Sequence, residues 1–182
     1  MLFYMERNSE VKRRVMEEVH SVVHSNKDIT NDNLQKLKYL EAVRNETQRI
    51  YGPGTGILPR RATVEHLLGK VLIPKDTLIG LDLAPNNYNP VYYKNPDEFN
   101  PDRWLNDELT KVHPYLFIPF SSGQRNCIGQ HLARLEAKIM ASKFLNRYEY
   151  IWENAETMRL KRKFLVAPES TQIKVTVRKD ID

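Results

Sequence analysis

The chain has 182 residues, of which 41% are hydrophobic and 28% are charged, a composition that is typical of a globular domain and excludes a disordered one. Its formal net charge of +5 is a mild excess that permits an acidic partner or an anionic surface, and no run of lysine and arginine indicates nucleic acid. The single cysteine, Cys127, excludes an intrachain disulfide and a multi-cysteine zinc site. No apolar run reaches the roughly 18 residues that span a bilayer, so we expect neither a membrane anchor nor a secretion signal in this chain.

Two amphipathic helices are predicted in the N-terminal part. The first covers Ser9–His24, where valines recur at helical spacing between charged residues. The second covers Leu34–Tyr51, where apolar residues repeat in the same way, and Gly52-Pro53-Gly54 ends it.

The middle of the chain is predicted to form short strands and a long loop. Strands are expected at Ile57–Thr63, Val71–Ile73 and Thr77–Leu83, with a turn at Pro74-Lys75-Asp76 between the last two. Residues 86–102 are rich in asparagine, proline and tyrosine and are expected to form a long coil with one helical turn. Ordered loops of this length are usually functional.

The C-terminal part is predicted to hold one helix and two strands. The helix is expected after the glycine-containing loop 118–129 and should end near Asn146. Strands are expected at Leu160–Val166 and Gln172–Arg178, joined through Ala167-Pro168-Glu169. The predicted apolar stripe of the helix consists of Ile128, Leu132, Leu135 and Ile139.

The loop that contains the only cysteine reads Phe120-Ser121-Ser122-Gly123-Gln124-Arg125-Asn126-Cys127-Ile128-Gly129. A lone cysteine is an inert buried thiol, a nucleophile or a ligand to a cofactor, and its residue type alone favours the inert role. The whole segment resembles the cysteine loop of the cytochrome P450 family, whose pattern is Phe-x-x-Gly-x-Arg-x-Cys-x-Gly. All five fixed positions of that pattern match, so the resemblance is specific.

This resemblance implies a haem b cofactor, with Cys127 as the thiolate that binds the iron axially. It implies that Arg125 pairs with a haem propionate and that Phe120 packs near the sulfur. Gly123 and Gly129 would let the backbone turn tightly and approach the flat ring. No catalytic residue beyond the haem ligand is expected in this chain.

Two further segments resemble structural supports of the same loop. Glu46-Thr47-Gln48-Arg49 is similar to the family's Glu-x-x-Arg helix, although alone it would be an ordinary ion pair on a helix surface. Phe99-Asn100-Pro101-Asp102-Arg103-Trp104 is similar to the Pro-Glu-Arg-Phe segment, with tryptophan at its last position where phenylalanine is common. The resemblance implies that Glu46, Arg49 and Arg103 form a buried charge network that fixes the geometry of the loop.

The segment Leu58-Pro59-Arg60-Arg61 resembles the strand that follows the Glu-x-x-Arg helix in the family. The resemblance implies that Arg60 holds a second propionate, with Arg61 as the rival for this role. It also implies that residues on two strands face the substrate, although two half-buried strands explain the same residue types equally well. These possible substrate contacts are Ile57, Leu58, Phe164 and Leu165.

The implied fold class is α+β, mostly α, and corresponds to the C-terminal part of the cytochrome P450 fold, with helices, small β-sheets, a long meander and the cysteine loop. Residues 1–182 are expected to form the proximal, haem-binding half of that domain, with no complete second domain. The oxygen-activating motif of the family's central helix is absent from the sequence. We therefore expect a fragment of a longer haem-thiolate monooxygenase that inserts one oxygen atom from O2 into an apolar organic substrate. The alternative is a truncated, non-catalytic haem-binding or interaction fragment.

The resemblance also implies partners and a location. Electrons would come from an NADPH-dependent flavoprotein reductase, and no nucleic acid partner is expected. The full-length form is expected at the cytoplasmic face of the endoplasmic reticulum membrane, with membrane association only through an N-terminal part that this chain lacks. A solvated helix face and a docking face for the reductase explain four basic residues equally well, namely Arg134, Lys138, Lys143 and Arg147.

A cysteine hydrolase is the rival enzyme class, because His113 and His131 offer a base for Cys127. His131 follows Cys127 by four residues on the predicted helix and is therefore the nearer candidate. The sequence marks no third residue that would orient this base and no oxyanion hole, which favours haem ligation.

Overall fold

The computed structural model describes residues 1–52, 58–82, 84–105, 113–157, 160–162, 166–168 and 171–178. None of the helices in these ranges is both long and apolar enough to cross a membrane. Single-turn 3₁₀ helices occupy Asn26–Asp28 and Pro101–Trp104. The α-helices of the described part are, in chain order, α1 (Leu2–Glu6), α2 (Ser9–Val22), α3 (Asn31–Lys36), α4 (Lys38–Tyr51), α5 (Ala84–Asn87) and α6 (Gln130–Arg147).

The strands of the described part pair into four antiparallel two-stranded sheets. In the first half, β1 (Leu58–Arg61) pairs with β4 (Leu78–Leu81), and β2 (His66–Leu68) pairs with β3 (Val71–Ile73) between them. In the second half, β5 (Tyr148–Trp152) pairs with β8 (Ile173–Val177), and β6 (Leu160–Arg162) pairs with β7 (Val166–Pro168) between them. Each outer pair thus encloses an inner pair along the chain.

The main core lies where α2, α4 and α6 meet. Valines along α2 bury one stripe, as predicted, because residues three or four apart share a helix face. This stripe packs against α4 and the C-terminal half of α6, so α4 is anchored in the core. The fully buried side chains of this core include Met5, Val15, Val19, Leu37, Leu40, Val43 and Leu145.

The helix predicted over Leu34–Tyr51 is wrong as a single element, because the chain turns at Leu37 between α3 and α4. Leu37 has φ −76° and ψ 73°, outside the helical region, and its side chain is fully buried. Glu18 on α2 accepts the backbone N–H groups of Tyr39 (2.7 Å) and Leu40 (2.8 Å). A carboxylate from another helix therefore caps the start of α4, and such a cap is invisible to periodicity along one helix.

Most elements predicted for the middle of the chain are present. The expected strands occur as β1, β3 and β4, and the turn at Pro74-Lys75-Asp76 contains Asp76 at φ 67°. The long coil carries two short helical elements, α5 and Pro101–Trp104, where one was expected. The sequence did not predict β2, whose residues are all exposed and so show no alternation between buried and exposed positions.

The strand predicted at Leu160–Val166 and the turn predicted after it are wrong. The single strand expected at Leu160–Val166 is instead the pair β6 and β7, and Ala167 and Pro168, expected in a turn, lie in β7. The strand expected at Gln172–Arg178 is confirmed as β8, whereas its partner β5, which follows α6 directly, was not predicted. Pairing between distant segments is not visible in a local pattern.

The apolar stripe predicted for α6 is not a core face within the described residues. Ile128 is 98% exposed, Leu132 60% and Leu135 41%, and Ile139 is half-buried. Apolar spacing identifies a helix face but does not say what covers it. The buried positions of α6 are instead Ala141, Ser142, Leu145 and Asn146.

Candidate functional site

A buried ion pair between Glu46 and Arg49 lies on α4, and both side chains are 0% exposed. Their spacing of three residues puts the two side chains on one face of the helix. Arg49 Nε donates to Glu46 Oε2 at 2.9 Å, and Arg49 Nη2 donates to Oε1 at 2.8 Å. This two-point geometry is the strong form of a pair between a guanidinium and a carboxylate.

The Glu46 carboxylate receives three more donors from the segment at the 3₁₀ helix Pro101–Trp104. The backbone N–H of Asn100 (2.9 Å) and the Nε of Arg103 (3.0 Å) donate to Oε1. The indole N–H of Trp104 donates to Oε2 at 2.8 Å. The carboxylate thus accepts five hydrogen bonds, which offset the cost of burying its charge.

The two arginines of this network also hold the backbone of the long segment that was predicted as coil. Arg49 donates to the carbonyls of Asn87 (2.7 Å) and Glu98 (3.2 Å). Arg103 donates to the carbonyl of Lys94 at 3.1 Å. The structure therefore brings together Glu46, Arg49 and Arg103, and the network fixes the course of the chain between α5 and Pro101–Trp104.

The ring of Tyr93 packs against the same network. It is fully buried, and its centroid lies 5.0 Å from the guanidinium carbon of Arg49 and 5.9 Å from that of Arg103. Burial raises the pKa of Tyr93 to about 12, so the phenol stays neutral at neutral pH. A neutral aromatic face is a compatible neighbour for two cations.

A second ion pair joins the 3₁₀ helix Pro101–Trp104 to α2. Arg14 donates to both oxygens of Asp102, from Nη1 at 2.8 Å and from Nη2 at 2.7 Å. The Arg14 guanidinium also lies over the ring of Tyr39, 3.9 Å from its centroid. The hydrogen bonds from Arg14 hold the pKa of Asp102 below its ordinary value.

The cysteine loop, residues 118–129, leads directly into α6. Cys127 is exposed, and its backbone N–H donates to the carbonyl of Phe120 at 2.9 Å, which closes the loop on itself. Gly123 has φ +79°, a left-handed conformation that favours glycine. Because α6 begins at Gln130 without a side-chain cap, its first N–H groups and the positive end of its dipole lie next to the cysteine.

Aromatic contacts join the cysteine loop to its surroundings. The ring of Trp104, which donates to Glu46, lies 4.5 Å from the ring of Phe117 between centroids. The guanidinium of Arg134 on α6 lies 5.2 Å from the centroid of Phe120. The buried charge network and the cysteine loop are therefore connected through the rings of Trp104 and Phe117.

The candidate propionate partners are not joined to one another in the described residues. Arg125 is exposed in the loop, and Arg60 and Arg61 are exposed on β1. Arg61 donates to the carbonyl of Asp76 at 3.1 Å, whereas Arg60 contacts only the carbonyl of its neighbour Pro59 at 3.3 Å within the described part. The predicted substrate contacts lie outside what is described, namely Ile57, Phe164, Leu165 and the side chain of Leu58.

The geometry of a cysteine hydrolase is absent from the described residues. No hydrogen bond joins the thiol of Cys127 to His113 or His131 there. His113 Nδ1 instead accepts the backbone N–H of Tyr115 at 3.2 Å, and His131 is exposed on α6. The same part of the chain holds no group of three or more side chains that could bind a metal ion. Among the residues that the structure describes, neither histidine is thus positioned as a base for Cys127.

The four basic residues proposed as a docking face differ in their contacts. Lys138 donates to Glu41 at 3.0 Å, and Arg134 covers the ring of Phe120. Lys143 and Arg147 are exposed. The guanidinium of Arg147 also lies 5.8 Å from the ring centroid of Tyr148, so exposure and contact do not divide the four residues into two groups.

Sequence patterns missed several contributors to the network. The backbone N–H of Asn100 and the ring of Tyr93 carry no signal in the residue pattern, and the partner of Arg14 lies 88 residues away. Trp104 did carry a signal, because it is an aromatic residue with a polar N–H at a position where phenylalanine is common.

The residues around Cys127 fit a thiolate-bound haem by the chemistry of their donors. A thiolate is a ligand that iron accepts, and the positive end of α6 complements the negative charge of a coordinated thiolate. A carboxylate such as a propionate suits the exposed guanidinium of Arg125. A Cβ added at Gly129 would lie 3.9 Å from the sulfur, so the glycine keeps that side of the sulfur open.

Comparison with known proteins gives consistent matches. The family described as Cytochrome P450 matches residues 1–175. Cytochrome P450 6B7 of Helicoverpa armigera is 34% identical over 151 residues, which are 81% of this chain and 30% of the relative. Probable cytochrome P450 4d20 of Drosophila melanogaster is 38% identical over 152 residues, 82% of this chain and 30% of the relative. The chain thus spans about 30% of the length of these curated relatives.

A solved structure matches the fold. The crystal structure of the cytochrome P450DA haem domain superposes with a TM-score of 0.85 at 25% identity, and the match covers 98% of this chain and 40% of that chain. This likeness confirms the predicted α+β class with helices and small sheets. Members of the matched family bind haem b as their cofactor.

Proposed function

The chain belongs to the cytochrome P450 family, and on that premise we propose that it forms the proximal, haem-binding part of a haem-thiolate monooxygenase in which Cys127 would supply the thiolate that binds the haem iron. The observation that carries this proposal is the exposed thiol of Cys127 at the start of α6. Its backbone is held by the hydrogen bond to the carbonyl of Phe120. We take residues 1–182 as a partial domain whose remaining part would supply the distal side of the site.

Arg125 and Arg60 would hold the two propionates. Arg125 is exposed in the cysteine loop, two residues before the ligand. Arg60 is favoured over Arg61, because Arg61 already donates to the carbonyl of Asp76, whereas Arg60 contacts only its neighbour within the described residues. A guanidinium with free donors is the better partner for a carboxylate.

When bound, the haem iron supplies cleavage of the O–O bond, so that one oxygen atom enters the substrate and the other leaves as water with two electrons and two protons. The residues of this chain hold the ligand and tune it. Phe120 would pack near the sulfur and limit its access to water, and Gly123, at φ +79°, and Gly129 would let the backbone approach the ring. Glu46, Arg49 and Arg103 fix the segment on which the cysteine loop packs.

The partners follow from this activity. The substrate would be a small apolar organic molecule, and Ile57, Leu58, Phe164 and Leu165 would contact it. A flavoprotein reductase would deliver electrons from NADPH, and Lys143 and Arg147 on α6 offer exposed cations to an acidic donor. The full-length protein would reside at the cytoplasmic face of the endoplasmic reticulum membrane.

The test is an absorption spectrum of the haem-reconstituted chain after reduction and exposure to carbon monoxide. The original chain should give a strongly red-shifted, thiolate-type Soret band, and Cys127→Ala should lose it. Ser122→Ala, which removes one polar atom from an exposed residue of the same loop, should keep the band. Haem uptake with the same band in Cys127→Ala, or no haem uptake by the folded original chain, would contradict the proposal.

A further inference from the structure

Trp104 contacts both the buried charge network and the segment that leads into the cysteine loop. Its indole N–H donates to Glu46 Oε2 at 2.8 Å, and its ring lies 4.5 Å from that of Phe117 at an angle of 53°. Among the described residues, no other side chain combines a hydrogen bond to Glu46 with a ring contact to residues 113–129. Within the described part of the chain, Trp104 is thus the side chain that connects the charge network to this segment.

We propose that Trp104 is a positioning residue, which transmits the fixed position of Glu46 through Phe117 to the cysteine loop and so orients Cys127. The inference rests on the proposed function, because it assigns the loop the task of presenting a thiolate ligand. It concerns the side chain at one position and not the charge network as a whole.

Glu46 is a suitable fixed point. Its side chain is completely buried on α4, which is anchored in the core, and four other hydrogen bonds hold the carboxylate besides that of the indole. The indole N–H therefore points at an acceptor that does not move. Hydrogen bonds to a charged acceptor are stronger and more directional than neutral ones.

The path from Trp104 to the ligand combines one ring contact, a short stretch of chain and one backbone hydrogen bond. Phe117 packs on the indole ring, and its neighbour Leu116 is buried. Phe120 follows three residues later, and its carbonyl accepts the backbone N–H of Cys127 at 2.9 Å. A rotation of the indole ring would displace Phe117 and, through it, the start of the loop.

Phenylalanine at position 104 would keep the ring contact but not the hydrogen bond. Glu46 Oε2 would then have Arg49 Nε as its remaining donor. The segment would not detach, because Arg14 holds Asp102 independently with bonds of 2.7 and 2.8 Å. We therefore expect Trp104→Phe to fold and to leave the ring free to rotate.

The chain provides a matched control in its other tryptophan. Trp152 is buried, and its ring lies 5.5 Å from that of Phe3 between centroids. Its indole N–H has no hydrogen-bond partner among the described residues. Trp152→Phe is therefore the same chemical change at a buried site where no hydrogen bond is lost.

The experiment measures amide hydrogen exchange in the haem-free chain for Trp104→Phe, Trp152→Phe, Phe117→Leu and the double variant Trp104→Phe/Phe117→Leu. Trp104→Phe should speed exchange of the loop amides about tenfold or more while the amides of α2 keep their rates. Trp152→Phe should leave the loop at the original rate. The double variant should exchange no faster than the faster single variant, because both changes break one path. The reporters are the N–H groups of Leu116, Ser121, Asn126 and Cys127, each bonded to a carbonyl within residues 113–129.

A second readout is the spectrum of the reduced carbon monoxide complex at equal haem content. Trp104→Phe should lower the intensity of the thiolate-type band relative to the original chain, and Trp152→Phe should retain it. Loop exchange that stays unchanged in Trp104→Phe, or that rises equally in α2, would overturn the positioning role. If the original chain takes up no haem, the proposed function fails, and the exchange rates still decide whether Trp104 holds the loop.

Discussion

Replacing Glu46 by glutamine tests how much the buried network contributes to stability, because the change keeps the size of the side chain and removes its charge. Glutamine has one acceptor oxygen and an NH2 group, whereas the Glu46 carboxylate accepts three hydrogen bonds at Oε1 and two at Oε2. In its better orientation, the amide oxygen replaces Oε1 and the NH2 group faces Arg49 Nε and Trp104 Nε1. Two buried donors then lose their acceptor.

The expected cost follows from these contacts. Each buried donor without a partner costs about 1–3 kcal/mol, which gives about 2–6 kcal/mol for two. Breaking a buried ion pair by removing one charge costs about 3–5 kcal/mol by a separate argument. The two estimates agree on about 3–5 kcal/mol, a large part of the roughly 5–15 kcal/mol that stabilises a domain.

The assay is urea denaturation at neutral pH, followed by far-ultraviolet circular dichroism. Glu46→Gln should lower the urea midpoint strongly, since the loss of free energy exceeds the error of the method. Glu149→Gln is the control, because its carboxylate is 67% exposed and lies 3.8 Å from Arg178, so it should cost at most about 0.5 kcal/mol. A loss below about 1 kcal/mol for Glu46→Gln would refute the reasoning, because it would mean that the five donors find other partners.

Two smaller contributions can be measured in the same way. Glu18→Gln should cost about 1 kcal/mol, because it removes the charge of the carboxylate that caps α4 at Tyr39 and Leu40. The control Glu17→Gln, on the exposed face of α2, should cost clearly less, and equal losses would rule out the cap. A double-mutant cycle with Arg14→Gln and Asp102→Asn should give a coupling of about 1 kcal/mol at pH 7. The bidentate geometry strengthens this pair, whereas the exposure of its side chains, 33% and 50%, weakens it. Because Arg14 lowers the pKa of Asp102, this coupling should be present above the unfolded pKa of about 3.9 and disappear as the pH falls through the lower folded pKa; a coupling that persists in acid would contradict the assignment.

The sequence could identify the charge network because its members stand at fixed spacings in recognisable segments. Glu46 and Arg49 share a helix face by their spacing alone, and Arg103 was assigned by resemblance of the segment that carries it. The other contacts of the network could not be predicted in this way. A backbone N–H has no sequence signature, and Arg14 meets Asp102 only because α2 packs across α4 and the 3₁₀ helix.

The errors of the sequence prediction share one physical cause. Periodicity reports which positions of an element are apolar, but the contact that buries them is made by another element. Of the predicted stripe of α6, Ile128, Leu132 and Leu135 are exposed in the described part of the chain, whereas Ile139 packs against the core. The strand β5 was missed, although Tyr150 and Trp152 alternate as buried residues, because its partner β8 lies at the end of the chain.

The cysteine loop shows why its support must come from elsewhere. Its described backbone hydrogen bonds span three residues at Ser121 and Asn126 and seven at Cys127, and they reach another element only at α6, where Gln130 (3.3 Å) and Ala133 (2.9 Å) donate to the carbonyls of Cys127 and Gly129. A ligand atom must be held within about 0.5 Å of its productive position. The described side-chain contacts that hold the loop are made by the rings of Phe117 and Phe120. Phe117 packs against Trp104, which donates a hydrogen bond to Glu46. Small changes along this path should therefore alter the geometry of the ligand before they lower global stability, whereas loss of the Glu46 charge should do both.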